Sequence, residues 1–132
     1  MTNPSPAIMR SMLGQVRGLG TAKSGTATWW AERVTAIALV PLTLWFVWSA
    51  VRLSGQPRAE VVVWASRPFV ATLLAALVLT TFHHMQLGLQ AVIEDYVHAE
   101  RTRLLSLLAM KAVTVLLGLM ALIAVLRLAV AG

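Results

Sequence analysis

Three stretches of this chain are apolar and free of Lys, Arg, Asp and Glu over lengths that no soluble core requires. They are residues 34–51, 68–93 and 112–126. A helix that crosses the hydrocarbon core of a bilayer needs about 20 apolar residues, because each residue rises about 1.5 Å through a thickness of about 30 Å. Each stretch reaches this length once the helix extends into its flanks. We therefore predict an all-α membrane protein with three transmembrane helices in a bundle.

Composition supports a membrane environment and excludes several classes of function. The 132 residues are 58% hydrophobic and 12% charged, whereas a soluble domain has about 25% charged residues. The net charge of +6 comes from Lys and Arg beside the apolar stretches, which is typical of membrane flanks. We predict contact with lipid and no nucleic-acid partner. Because the chain has no cysteine, it can supply neither a disulfide nor an iron–sulfur cluster.

The layout predicts a single membrane domain over residues 1–132, with a polar N-terminal segment at 1–28. The stretch GLGTAKSGTAT, residues 18–28, is expected to be irregular, and RLSGQPRAE, residues 52–60, to be a turn-rich loop. Trp29 and Trp30 mark a membrane interface, where indole rings are enriched. The expected spans are about 30–52, 66–96 and 104–130.

Positive charge predicts the orientation of the three spans. Lys and Arg are more frequent before the first span and after the second, at Arg10, Arg17, Lys23, Arg33, Arg101, Arg103 and Lys111. The opposite side has Arg52, Arg58, Arg67 and Arg127. Cytoplasmic flanks carry the excess of positive charge. We therefore predict a cytoplasmic N-terminus and a C-terminus on the opposite side.

The stretch HHMQLGLQAVIEDYVH, residues 83–98, places titratable groups at the end of the second span. At about 100° per residue, Gly88 and Asp95 lie within about 40° of His84, and His83 is turned away by about 100°. A neutral imidazole one turn from a glycine suits a flat macrocycle such as haem. A histidine that only bonds a neighbouring helix is the open alternative. Ionisable groups within a membrane span indicate a functional site but do not identify its chemistry.

Two motifs carry a resemblance to a known family. HMQLGLQAVIEDYVH resembles the signature of the D-type hydrophobic membrane anchor of succinate dehydrogenase, in which Gly follows His by four positions and Asp-Tyr follows by eleven and twelve. WWAERVTAIALVPLTLWF, residues 29–46, is similar to the entry of the family's first span, with an Arg before a Thr-Ala pair. The three-span layout agrees. Relatives often have a histidine before the paired aromatics, where this chain has Thr28.

The resemblance implies roles for five residues. His84 matches the axial ligand of haem b, and Gly88 lies beside it in the same motif. Arg33 matches a basic residue near the haem propionates. Tyr96 matches a tyrosine that hydrogen-bonds a quinone carbonyl, and Asp95 matches the carboxylate next to it. The expected cofactor-binding residues are thus His84, Arg33 and Gly88, and the expected quinone-binding residues are Tyr96 and Asp95.

The resemblance also implies partners. Such an anchor pairs with a C-type anchor subunit, shares haem b with it, and holds the iron–sulfur and flavoprotein subunits of succinate:ubiquinone oxidoreductase (complex II) on the membrane. The expected assembly is a heterotetramer, either alone or as a trimer of heterotetramers, in a bacterial inner membrane or, as the alternative, a mitochondrial one. The chain alone is not expected to catalyse a reaction. A haem-free structural anchor and a small membrane assembly or transport subunit stay open as alternatives.

Overall fold

The computed structural model describes residues 22–132, with side chains from residue 25 onward. This part of the chain is helical and contains no strand. Three long helices are apolar enough to cross a membrane, with mean hydropathies of 2.0, 1.5 and 2.5 in chain order. The predicted fold class, a three-span all-α membrane protein, is confirmed. The helices are α1 at Ala22–Leu53, α2 at Arg58–Ser66, α3 at Pro68–Tyr96 and α4 at Glu100–Ala131.

The chain divides into two compact units, residues 1–30 and 31–132. In the first unit, the rings of Trp29 and Trp30 meet edge to face, with centroids 5.2 Å apart and planes at 80°. Residues 22–28 are helical, so the expectation of irregular structure at 18–28 is wrong for its described part, and residues 1–21 lie outside the description. Extending an existing helix costs far less than nucleating one, so α1 can continue through Gly25.

The loop between the first two spans is shorter than the sequence suggests. Gly55 has a φ of +80°, which favours glycine, and the turn that it forms ends α1. Helix α2 then occupies residues that were expected to be loop or the approach to the second span. Arg67 separates α2 from α3 in an extended conformation, with φ −63° and ψ 127°. Pro68 explains this break, because a proline disfavours the helical conformation of the residue before it.

Within residues 31–132, α3 and α4 pack closely. A Cβ added to Gly118 on α4 would lie 3.3 Å from Cγ of Phe82 on α3, so the glycine permits this approach. The C-terminal end of α4 reaches Ser66, which shows that the two helices run antiparallel. We call the end of the bundle with Arg67, α2 and Gly132 the Arg67 end, and the end with the α3–α4 connection the Tyr96 end.

The small buried core of the isolated chain lies at the Arg67 end. Ala65, Val70 and Leu74 are buried there. Trp45 of α1 stacks on Trp64 of α2 beside them, with ring centroids 5.9 Å apart and planes at 25°. This contact holds α1 against the rest of the bundle at that end. The Tyr96 end has few buried side chains of its own, so its apolar surface is available to lipid or to another subunit.

The orientation is a prediction that reporter fusions can test. We expect a fusion after residue 28 to report the cytoplasmic side, and fusions within residues 54–60 and at Gly132 to report the opposite side. The physical reason is the excess of Lys and Arg on the first flank and on the α3–α4 connection. Alkaline phosphatase and green fluorescent protein give complementary signals at each site. A cytoplasmic signal from residues 54–60 would reverse the assignment of both ends.

Candidate functional site

His84 makes a polar contact with the neighbouring helix α1 within the membrane span. Its Nδ1 lies 2.8 Å from Oγ1 of Thr35 on α1, and both side chains are half-buried. Oγ1 also lies 2.7 Å from the carbonyl oxygen of Ala31 and 3.1 Å from that of Glu32. This contact ties α1 to α3 toward the Tyr96 end. It uses one ring nitrogen of His84 and leaves Nε2 for a different partner.

Two other expected site residues lie close to this contact along their helices. Arg33 is two residues before Thr35 on α1, about 3 Å along the helix axis, and its side chain is exposed. Gly88 is one turn after His84, and a Cβ added to it would meet nothing within 4 Å. The surface of α3 at Gly88 is therefore not covered by another part of the described chain. His84 and Gly88 form what we call the imidazole site; Arg33 is turned by about 200° from Thr35 around α1 and is not part of it.

His83 faces a different neighbour from His84. It lines a cavity of about 210 Å³ between α3 and α4, together with Phe82, Gln86, Thr114 and others. The helical geometry predicts this separation, because adjacent residues point about 100° apart. The two imidazoles therefore meet different helices, α4 for His83 and α1 for His84. A single ligand at the imidazole site can use only His84.

Asp95 and Tyr96 are the last residues of α3, and both side chains are exposed. Tyr96 is 80% exposed, so its hydroxyl is accessible to another molecule. Measured along α3 from Pro68, His84 lies about 24 Å away and Tyr96 about 42 Å away. A hydrocarbon core of about 30 Å that begins at Pro68 would end near Gly88. On that placement His84 would lie inside the core, and Asp95 and Tyr96 would lie beyond it.

The structure places His84 and Gly88 on one turn of α3, and Asp95 with Tyr96 about 16 Å further along the same helix than His84. Arg33 lies at a similar level on α1 but is turned by about 200° from Thr35, so the contact with His84 does not bring its side chain to this place. Directly before Asp95 in the sequence, Glu94 accepts a hydrogen bond at its Oε1 from Nε2 of Gln90, at 2.8 Å. Within residues 22–132, no cluster of three or more His, Cys, Asp or Glu side chains could hold a bare metal ion. An iron at His84 would need further donor atoms, such as the four nitrogens of a macrocycle.

Thr35 is the residue that sequence reasoning missed. It appears in the RVTA motif that contributed to the resemblance, but no role was assigned to it. It is separated from His84 by 49 positions, and no periodicity within one helix predicts a contact between two helices. A signal did exist, because a hydroxyl residue in an apolar span is itself a candidate for an interhelical hydrogen bond.

A second cavity lies at the Arg67 end and contains none of the expected site residues. Its volume is about 620 Å³. It is lined by the indoles of Trp45, Trp48 and Trp64 and by polar groups that include Arg52 and Arg67. This composition is typical of the interface between lipid and water, where amphipathic and basic side chains are frequent.

Comparison with known proteins decides the family. Residues 7–118 match the family model of the succinate dehydrogenase/fumarate reductase transmembrane subunit. The chain belongs to this family. No solved structure matches it significantly. The helical fold and the three spans are those of a multi-pass membrane protein, in agreement with the family assignment.

Individual relatives carry the same description. The chain is 32% identical over 108 residues to the succinate dehydrogenase hydrophobic membrane anchor subunit of Rickettsia bellii (strain RML369-C), covering 81% of this chain and 86% of the relative. It is 30% identical over 98 residues to the succinate dehydrogenase membrane anchor subunit of Reclinomonas americana, covering 70% and 80%. It is 35% identical over 79 residues to the hydrophobic membrane anchor subunit of Paracoccus denitrificans, covering 60% and 61%. The resemblance inferred from the two motifs is confirmed.

Proposed function

We propose that this chain is a membrane-anchor subunit of a succinate:ubiquinone oxidoreductase. With a C-type anchor subunit it would bind haem b and ubiquinone and hold the iron–sulfur and flavoprotein subunits on a bacterial inner membrane. The observation that carries this proposal is the contact between His84 and Thr35, with an open helix surface at Gly88 one turn away. Bacterial relatives from Rickettsia and Paracoccus support the location.

The imidazole site fits a haem in its donor chemistry. A metal-ligating histidine usually bonds a protein group through its second ring nitrogen, and His84 does so through Nδ1. Nε2 of His84 would bind the iron, and the missing side chain of Gly88 would leave room for the ring. Arg33 can offer forked hydrogen bonds to a propionate, a geometry that lysine matches poorly. When bound, the haem would supply a one-electron carrier inside the membrane.

The Tyr96 end suits a quinone site because its polar groups would lie beyond the hydrocarbon core. Reduction of ubiquinone needs two electrons and two protons, so its oxygens must lie near hydrogen-bond donors and water. The exposed hydroxyl of Tyr96 can donate to a quinone carbonyl and favour the negative charge that develops on its oxygen. Asp95 would orient a water or a basic residue of a partner, since a carboxylate repels that charge.

The surface of the isolated chain supports assembly with other subunits. Few side chains are buried toward the Tyr96 end, and Tyr96 itself is exposed. The sequence contains no cysteine, so an iron–sulfur cluster must belong to another subunit. That subunit would approach the Tyr96 end to pass electrons to a quinone bound there. The anchor would thus position electron carriers and substrate rather than catalyse a reaction alone.

Copurification with spectroscopy tests the proposed function. We expect an affinity-tagged chain, extracted in mild detergent, to bring down a flavoprotein, an iron–sulfur protein and a second small membrane subunit. The preparation should show a reduced-minus-oxidised spectrum of b-type haem and reduce ubiquinone with succinate. The same assembly without haem would support the haem-free anchor. Recovery of the chain without the two catalytic subunits would favour an assembly or transport protein instead.

A further inference from the structure

Thr35 has more hydrogen-bonding neighbours than its one hydroxyl proton can serve. Its Oγ1 lies within 3.1 Å of two backbone carbonyl oxygens, from Ala31 and Glu32, and 2.8 Å from Nδ1 of His84. Carbonyl oxygens can only accept hydrogen bonds, whereas a ring nitrogen of histidine can accept or donate. All these contacts are favourable at once only if Thr35 donates to the carbonyl of its own helix and Nδ1–H of His84 donates to Oγ1.

This assignment decides which ring nitrogen of His84 carries a lone pair. A neutral imidazole has one N–H, and the hydrogen bond made by one nitrogen decides the role of the other. We infer that Thr35 is a positioning residue that fixes the Nδ1–H tautomer of His84 and aims Nε2 at the ligand site. The inference rests on the proposed haem function and deepens it. It assigns to a side chain on α1 the control of the orientation and basicity of this ligand.

The backbone of α1 makes Thr35 a rigid acceptor. A threonine in a helix has a stiff χ1, and its hydroxyl can bond the carbonyl three or four residues earlier. Thr35 makes this bond to Ala31 at 2.7 Å, which directs the oxygen lone pairs toward α3. Donation of Nδ1–H to a fixed acceptor orients the ring and raises the basicity of the other nitrogen. A more basic ligand stabilises the oxidised iron and lowers its reduction potential.

Substitutions in the assembled complex separate the hydroxyl of Thr35 from its methyl group. Thr35→Val keeps the shape and removes the acceptor, whereas Thr35→Ser keeps the acceptor. Thr43→Val is the matched control, because Thr43 lies on the same helix and its exposed side chain lines a shallow groove with Leu39, Val40 and Leu44. If Thr35→Val impairs assembly, the pair Thr35→Ser and Thr35→Ala makes the same comparison with smaller side chains.

We expect Thr35→Val to raise the midpoint potential of haem b and to weaken haem binding by about tenfold, the lower limit for loss of a ligand's hydrogen-bond partner. Faster haem transfer to apomyoglobin would measure the weaker binding. Thr35→Ser and Thr43→Val should match the wild type in both measurements. Equal changes in Thr35→Val and Thr35→Ser would assign the effect to packing and overturn the inference. Unchanged values in Thr35→Val, in a complex that loses haem on His84→Ala, would overturn the inference and leave the proposed function intact. A wild-type complex without haem would overturn the haem function itself.

Discussion

His84→Ala is expected to remove haem b from the assembled complex, whereas His83→Ala should leave it bound. Loss of a hydrogen-bond partner of a metal-ligating histidine already weakens metal binding by about 10–100-fold, so loss of the ligand itself should reduce haem per flavin to less than about a tenth. His83 cannot replace it. That ring lines the cavity between α3 and α4, whereas Nδ1 of His84 contacts α1.

The measurement is the pyridine haemochrome content per covalently bound or tightly bound flavin, with subunit composition checked on the same preparation. His83→Ala is the matched control, since it removes an adjacent imidazole from the same turn of α3. Loss of haem in His83→Ala with retention in His84→Ala would show that the faces of α3 are assigned wrongly. Full haem content in both variants would leave His84 as a residue that only packs against α1.

Hydropathy made most of the fold predictable, because a bilayer imposes a length and a composition on each span. The uncharged stretches at 34–51, 68–93 and 112–126 each lie within one helix of the structure. Helix ends were less predictable. Helix α1 includes residues 22–28 of a Gly-Thr-Ser stretch expected to be irregular, since a long helix can extend through residues that would not start one. Helix α2 was missed because its nine residues are too short to show a clear period.

In the candidate site, too, features set within one helix were predictable from the sequence, whereas contacts between helices were not. The separation of His83 from His84 follows from the turn angle of one helix, and their different neighbours in the structure agree with it. The contact with Thr35 depends on how α1 lies against α3, which the turn angle of one helix does not determine. The sequence motif with Arg33 indicated where to look, but only coordinates show that the hydroxyl two residues later reaches His84.

Substitutions at Tyr96 and Asp95 give the second large expected effect, because these residues end α3 and lie away from the imidazole site. Tyr96 is rotated by about 120° from His84 and lies about 18 Å further along the axis. One helix can therefore present an imidazole to a ligand in the membrane and a phenol to a different neighbour at its surface. The 80% exposure of Tyr96 leaves its hydroxyl accessible to that neighbour. A change at Tyr96 should thus affect quinone without affecting haem.

Tyr96→Phe is expected to preserve assembly, haem content and succinate oxidation with an artificial acceptor that takes electrons before quinone. Reduction of ubiquinone should fall by about tenfold if the lost hydrogen bond contributes about 1.4 kcal/mol to the transition state. Asp95→Asn should also slow ubiquinone reduction, because it removes the charge that would orient a water or a basic partner.

Glu94→Gln is the matched control, since Glu94 is exposed beside these residues but bonds Gln90 within α3. Steady-state rates with ubiquinone and with the artificial acceptor, measured on the same preparations, make the comparison. Wild-type ubiquinone reduction by both Tyr96→Phe and Asp95→Asn in a complete complex would place the quinone chemistry elsewhere.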